Sequence, residues 1–233
     1  MDQAIEFTLP DEEGRTKLVR LYARGVEVPE AVVRTTDADD RGNSLDLVIR
    51  APDERDLGDA HGLDGSFVVE SELVLFVEGG VVRYEVVPVP RHEKSYAGED
   101  LSDCLDDPGK AVFLAYLDGS IAGRVVVSEG WNRYAWVEDI AVDARRREAG
   151  VGRALMGRAV AWAVGRGLAG VRAETQSDNV PACKFYESCG FHLGGFDRDL
   201  YRGLDEGTTE VALFWYRPVP SEAPPRIPPA DRR

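Results

Sequence analysis

Between Tyr134 and Gly165 the apolar pattern switches from alternation to helical spacing across a glycine-containing turn. A chain with such a switch must bury a strand and the helix that follows it on one sheet. YAWVEDIAV, Tyr134 to Val142, alternates as a strand, with Trp136, Glu138, Ile140 and Val142 expected on one face and Val137, Asp139 and Ala141 on the other. After the turn, Val151, Leu155, Ala159 and Trp162 recur at helical spacing until Gly165 and Gly167 end the run. GVRAETQ then reads as a short strand. Asp178 or Asn179 can cap a second helix, Pro181 suits its first turn, and Ala182, Phe185 and Cys189 are predicted to form its inner face before Gly190 closes it. Strands around FHLGG and TEVALFWYR complete the series.

Upstream, SFVVESELVLFV and VVRYEVVPV read as a hairpin joined through Gly79 and Gly80, and AVFLAYL and SIAGRVVV as a second one joined through Asp118 and Gly119. The segment from Glu93 to Asp107 reads as a polar helix or loop. The fold class is therefore α/β, a mixed and mostly antiparallel sheet flanked by helices. Three regions are expected: an acidic, β-containing extension over 1–65 with no assignable role, a main domain over 66–217, and a proline-rich, disordered tail over 218–233.

Composition narrows the function. A chain of 233 residues that is 43% hydrophobic can bury a full core. No apolar run reaches the roughly 18 residues that a membrane helix needs, and the N-terminus is acidic where a secretory leader would be basic and then apolar, so a cytoplasmic location is expected. A net charge of −14 opposes nucleic-acid binding and suits a cationic partner. Residues 1–65 hold sixteen Asp or Glu against eight Lys or Arg, which places −8 of that charge outside the segment carrying the motifs. Cys104, Cys183 and Cys189 lack metal-ligand spacing and are read as reduced thiols, with no metal site expected. Cys183 and Cys189 fit a helix face as small apolar residues, and no histidine lies near them in sequence to activate an acyl-cysteine.

Arg147, Gly150 and Gly152 form Arg-x-x-Gly-x-Gly between a strand and a helix. Free backbone N–H groups and the positive end of the helix dipole meet there, so the turn can hold a pyrophosphate. It lacks the third glycine of the dinucleotide fingerprint and the Lys-Ser/Thr of an ATP loop. Arg145, Arg146, Arg147, Arg153 and Arg158 make this the most basic stretch of an acidic chain. Glycines that merely end a strand and arginines that solvate a helix are the alternative.

With these motifs in order, the chain resembles the GCN5-related N-acetyltransferase (GNAT) superfamily, and within it the streptothricin acetyltransferase family. WNRYAWVEDIAV, ETQSDNVPACKFYESCGF, DRDLY and EVALFWY carry the likeness, and KSY at Lys94 to Tyr96 matches the family's upstream helix. It covers roughly 66–217 and is absent from 1–65. The resemblance implies acetyl-CoA as acyl donor, with backbone contacts from Ile140, Ala141 and Val142 and a phosphate turn of Arg147, Glu148, Ala149, Gly150, Val151 and Gly152. Asn179 matches an asparagine near the cofactor, and can equally cap its helix.

An aliphatic amine with a pKa of ~10.4 is neutral in only about one molecule in 2500 at pH 7, so transfer to it calls for a base. Glu138 is the first candidate and Asp139 its competitor, one of the two being expected to pair with an arginine such as Arg133. Tyr186 matches the superfamily's tyrosine, able to hydrogen-bond the departing sulfur from the flank of the buried stripe. The family likeness implies a cationic small-molecule acceptor, an amine of the β-lysine part of streptothricin. Glu99, Asp100, Asp103, Asp106 and Asp107 either collect that cation or form a solvated loop, and Trp131, Tyr134, Trp136 and Trp215 either line its cleft or pack the core. Another amine acceptor, or a non-catalytic acyl-CoA-binding module, is the competing reading, and the oligomeric state, monomer or homodimer, is left open.

Overall fold

A computed structural model describes residues 33–38, 44–53, 56, 60, 62–96, 101–105 and 107–219. Strands β1 (Val33–Ala38) and β2 (Ser44–Arg50) precede a long hairpin of β3 (Phe67–Glu78) and β4 (Val81–Lys94). A single helical turn, α1 (Ser102–Leu105), leads to the meander β5 (Lys110–Leu117), β6 (Ser120–Glu129) and β7 (Tyr134–Val142). Helix α2 (Val151–Gly165), β8 (Gly170–Gln176), α3 (Val180–Ser188), β9 (His192–Asp197) and β10 (Ala212–Pro218) follow.

The main sheet runs β1-β2-β5-β6-β7-β8-β10-β9, and β3 and β4 form a separate two-stranded sheet. Every neighbouring pair is antiparallel except β7 and β8, which the α2 crossover makes parallel. Both hairpin turns expected from sequence form. Asp118 and Gly119 lie at φ 51° and 75°, Gly79 and Gly80 at 59° and 78°, the left-handed pairs that two-residue turns require.

The sheet is buried on both faces, as alternate residues of β5 show. Phe113 and Ala115 join Val125, Val127, Val137 and Trp215 under α2, while Val112 and Leu114 join Val126, Leu101 and Cys104 on the opposite side. Helix α2 turns Val151, Leu155, Met156, Ala159 and Ala163 onto the first face, each larger side chain worth roughly 1.5–3 kcal/mol of burial. Gly123 of β6 permits that approach: a Cβ there would lie 2.7 Å from the Ala141 carbonyl oxygen and 3.0 Å from Leu155 Cδ1.

Five expectations change. Strand β2 pairs with β5, and Leu47 and Ile49 belong to the main core, so the domain reaches back at least to Ser44 instead of starting at 66. Asp56 fastens the segment after β2, receiving hydrogen bonds from Arg50 (2.5 and 2.8 Å) and the Tyr116 hydroxyl (2.5 Å). Lys94 ends strand β4, and Ser95 and Tyr96 continue without helix, so KSY does not sit on one. In α3 the buried residues are Cys183 and Tyr186, with Cys189 at the C-cap, whereas Ala182 and Phe185 are only partly covered. Two apolar stripes one residue apart both satisfy helical spacing, and packing of the helix against Phe191 and Trp215 selects the one that carries Tyr186. The fourth change lies in β7 and creates the site. Pro218 ends β10 and Val219 N donates to the Ala169 carbonyl at 3.0 Å, so these two residues of the expected tail belong to the sheet; 220–233 and most of 1–65 lie outside the described residues.

Candidate active site

The β7–β8 ladder stops at Val137 paired with Ala173. Beyond it Asp139 to Val142 keep partners only on β6, and Glu174 to Gln176 only on β10, so the two parallel strands part and leave a cleft open at their C-terminal ends. The cause is a bulge. On β6, Val126 and Val127 are consecutive, yet they face Asp139 and Val137, so Glu138 is one residue too many. A bulge bends its strand and steepens its twist. It also flips the alternation: Val137, Ile140 and Val142 pack toward the α2 side, which corrects the expected grouping of Ile140 and Val142 with Trp136.

Both carboxylates of the bulge consequently serve the face opposite α2. Lys110 Nζ donates to Glu138 Oε2 at 2.7 Å, and Lys110 shares the face of Val112 and Leu114. Arg124 Nε donates to Asp139 Oδ2 at 2.6 Å while Nη1 donates to the Ala60 carbonyl at 2.8 Å. The partners differ in exposure, 5% for the Arg124 side chain against 29% for Lys110. Arg133, the partner expected from sequence, instead donates to the Gly167 carbonyl.

The turn after β7 is built from fixed backbone. Asp143, buried, accepts from Arg145 N (3.0 Å) and from its guanidinium (3.0 and 2.9 Å); the Arg145 hydrogen bond holds this carboxyl down at about 2 against the opposing cost of burial. Arg147 braces the turn, donating to the carbonyls of Ser66 (2.6 Å) and Val142 (3.4 Å). Glu148 and Gly150 are both left-handed, φ 67° and 78°, and Gly150 is the N-cap of α2 with no side chain over it. The first α2 helical hydrogen bond runs from Ala154 N to Gly150 O, leaving the earlier N–H groups without a helical acceptor. A Cβ on Gly152 would lie 3.2 Å from the Phe185 ring, so this glycine seats the start of α2 against α3. Asn179 caps α3, its Oδ1 accepting from Ala182 N at 3.2 Å.

Tyr186 is not on the flank expected of it. It is 4% exposed, its ring packed among Phe185, Phe191 and Trp215. Its hydroxyl makes no hydrogen bond with the described residues and is not among the sealed polar atoms that lack a partner, so the little surface Tyr186 retains includes that oxygen. Burial pushes the phenol well above its ordinary value, and Cys183, Asp139, Cys189 and Glu174 add smaller contributions in the same direction. The hydroxyl is therefore neutral across the physiological range.

Sequence reading missed a second group at the β8 lip. Tyr201 donates to Glu174 Oε1 at 2.7 Å and Tyr96 to Gln176 Oε1 at 2.8 Å. Lys94 bridges Asp178 (3.0 Å) and Glu210 (2.8 Å); burial alone would lower its ammonium, but these hydrogen bonds outweigh it and hold it high. The guanidinium of Arg172 stacks on Trp136 at 4.0 Å. Only the two-residue spacing of Arg172, Glu174 and Gln176 hints at this face in sequence, because their partners come from distant segments. Of the acidic run, Glu99, Asp100 and Asp106 and the side chain of Asp103 lie outside the described residues, and Asp107 caps the turn at Gly109. Trp215 is core and Trp131 is 92% exposed. All three cysteines are buried and unpaired with one another, and burial pushes Cys183 up to about 12.

The model of the acetyltransferase (GNAT) family matches residues 81–191. Streptothricin acetyltransferase A of Bacillus subtilis (strain 168) is 37% identical over 152 residues, 64% of this chain and 87% of that protein. A solved structure assigned as a streptothricin acetyltransferase of Bacillus anthracis str. Ames, in complex with acetyl coenzyme A, superposes with a TM-score of 0.71 at 39% identity, covering 74% of this chain and 99% of the other. Nourseothricin acetyltransferase superposes with a TM-score of 0.64 at 38% identity, with 75% and 99% covered.

Proposed function

This chain belongs to the GNAT family of acetyl-CoA-dependent acetyltransferases, and from that premise we propose that it acetylates an amine of the β-lysine part of streptothricin or a closely similar cationic antibiotic, so conferring resistance. The observation that carries the reading is the parting of β7 and β8 beyond Val137, with the carboxylates of Glu138 and Asp139 on the freed end of β7 and the Tyr186 hydroxyl, without a partner among the described residues, on α3. Similarity to streptothricin acetyltransferases along nearly their whole length supports the choice of acceptor.

Acetyl-CoA supplies the acetyl group as an activated thioester. The residues present fit it: the braced turn from Arg147 through Glu148, Ala149, Gly150 and Val151 to Gly152 offers backbone donors to a pyrophosphate. The freed edge of β7 at Ile140, Ala141 and Val142 offers backbone groups to an extended chain. Asn179 acts by fixing the start of α3. Glu138 is the base that takes the proton from the acceptor ammonium. Asp139 serves that role less well, because a proton there would leave the Arg124 guanidinium buried without its counter-charge. The Lys110 side chain, more exposed, can turn to water instead. Tyr186 Oη donates a hydrogen bond to the sulfur as it leaves, and its raised position keeps that proton in place throughout the neutral range.

Incubation of the protein and acetyl-CoA with streptothricin, an aminoglycoside, spermidine and a lysine peptide, followed by mass spectrometry, tests the proposal. A single acetyl on the β-lysine part of streptothricin is expected. Transfer only to another amine would refute the assignment of acceptor.

A further inference from the structure

Three carboxylates border the cleft, and they are not equivalent. Glu138 is ion-paired to Lys110 and Asp139 to Arg124. Glu174 takes part in none of the ion pairs among the described residues; its partner is the neutral phenol of Tyr201 at 2.7 Å. Glu174 is also the first residue of β8 past the last rung shared with β7, and it shares the face of Arg172 and Gln176, opposite the buried Ala173 and Thr175. The nearby cations are committed elsewhere, Lys94 to Asp178 and Glu210 and Arg172 to the ring of Trp136.

The geometry points to Glu174, held in place by the Tyr201 hydroxyl, as the carboxylate that docks an ammonium group of the acceptor on the face of the cleft opposite α2. This rests on the reading of the chain as a transferase acting on a cationic amine, and adds the residue that selects for the charge. The turn at Gly150 and the start of α2 follow the freed end of β7, while Glu174, Tyr201 and Tyr96 stand at the end of β8, so the two strands offer separate places to the cofactor and the acceptor. Tyr201 itself is kept protonated by burial first and by Glu174 second, so it remains a donor to the carboxylate. The aromatic faces of Tyr96 and Tyr201 flank the docked cation. Tyr201 is a positioning residue here, and Glu174 a binding one.

Isothermal titration of streptothricin into protein loaded with coenzyme A, at two salt concentrations, tests the assignment on the full chain. Glu174→Gln should weaken streptothricin binding by about 10- to 100-fold, the scale of one lost charge-assisted hydrogen bond and its Coulomb attraction. It should also flatten the salt dependence, and change coenzyme A affinity by less than about twofold. Tyr201→Phe should weaken binding by about 3- to 10-fold while leaving the salt dependence intact, since the charge remains. Tyr201→Phe also carries the test should Glu174→Gln fail to fold. Unchanged streptothricin affinity in either folded variant, equal losses for streptothricin and coenzyme A, or no binding by the parent protein would overturn the proposal. If the parent binds streptothricin through Glu174 but does not acetylate it, the function proposed above fails and this docking role stands. Acetylation of streptothricin that is indifferent to Glu174 would leave that function standing and overturn the docking role.

Discussion

Removal of one oxygen, by Tyr186→Phe, separates a catalytic role from a structural one at the most buried aromatic residue of the site. The ring contacts with Phe185, Phe191 and Trp215, at centroid separations of 5.6, 5.5 and 6.2 Å, survive the substitution. Among the described residues the hydroxyl has no partner to lose. A paired buried hydroxyl would cost about 1–3 kcal/mol on deletion, whereas this one should cost within about 0.5 kcal/mol of nothing. For a chain of this size that is a shift in Tm of no more than about 2 °C. Turnover should behave differently. Donors to developing charge are worth up to about 3–4 kcal/mol in kcat; a thiolate accepts less strongly than an alkoxide, so a 10- to 100-fold fall is expected, with the KM for acetyl-CoA within about twofold. Release of coenzyme A followed with a thiol reagent gives the rates, and differential scanning fluorimetry gives Tm. A loss of more than about 4 °C with kcat unchanged would show that the hydroxyl serves the core and that the proposed contact with sulfur is wrong.

Other consequences follow from the same geometry. Asp139→Asn should destabilise the protein by roughly 2–4 kcal/mol in chemical denaturation, because it strips the counter-charge from a guanidinium whose side chain is only 5% exposed. Glu138→Gln, whose partner Lys110 can reach water, should cost about 1 kcal/mol or less yet lower kcat by at least about tenfold; equal stability losses in the two variants would contradict the difference in burial. Gly150→Ala meets no atom within 4 Å but must hold φ at 78°, so a cost of about 1–2 kcal/mol from backbone strain alone is expected. Native protein at pH 8 should show none of its three thiols to a thiol reagent until denaturant is added, as all are buried and Cys183 is pushed up to about 12; rapid labelling of Cys183 or Cys189 would disprove the packing of α3. Asp143, held near 2 by Arg145, contributes stability that is present above the ordinary carboxylate value of ~3.9 and is lost as pH falls through about 2. Acid titration of Asp143→Asn should therefore lack that part of the parent's decline, and an unchanged profile would remove the link between this carboxyl and the turn.

The sequence alone determined what depends on local spacing. The strand at YAWVEDIAV, the glycine turn around Val151 and the Asn-Val-Pro start of α3 each depend on a few residues, and these elements form as read, although the faces of β7 do not. So do the tight turns at Gly79 and Asp118, whose left-handed backbone few residues accept. What tertiary structure decided is how these pieces rotate and part. The bulge at Glu138 is invisible in β7 itself, since it exists only as a mismatch of count against β6, and it sets the direction of both carboxylates and the opening toward β8. Tyr186 or Phe185 could each have faced inward on a helix whose two apolar stripes lie one residue apart, and the packing of α3 beside Trp215 chose Tyr186. The pairing of Glu174 with Tyr201 spans 27 residues and that of Tyr96 with Gln176 spans 80. Contacts of that range carry no periodic signal, because the loops between them fix neither distance nor direction until the sheet has formed.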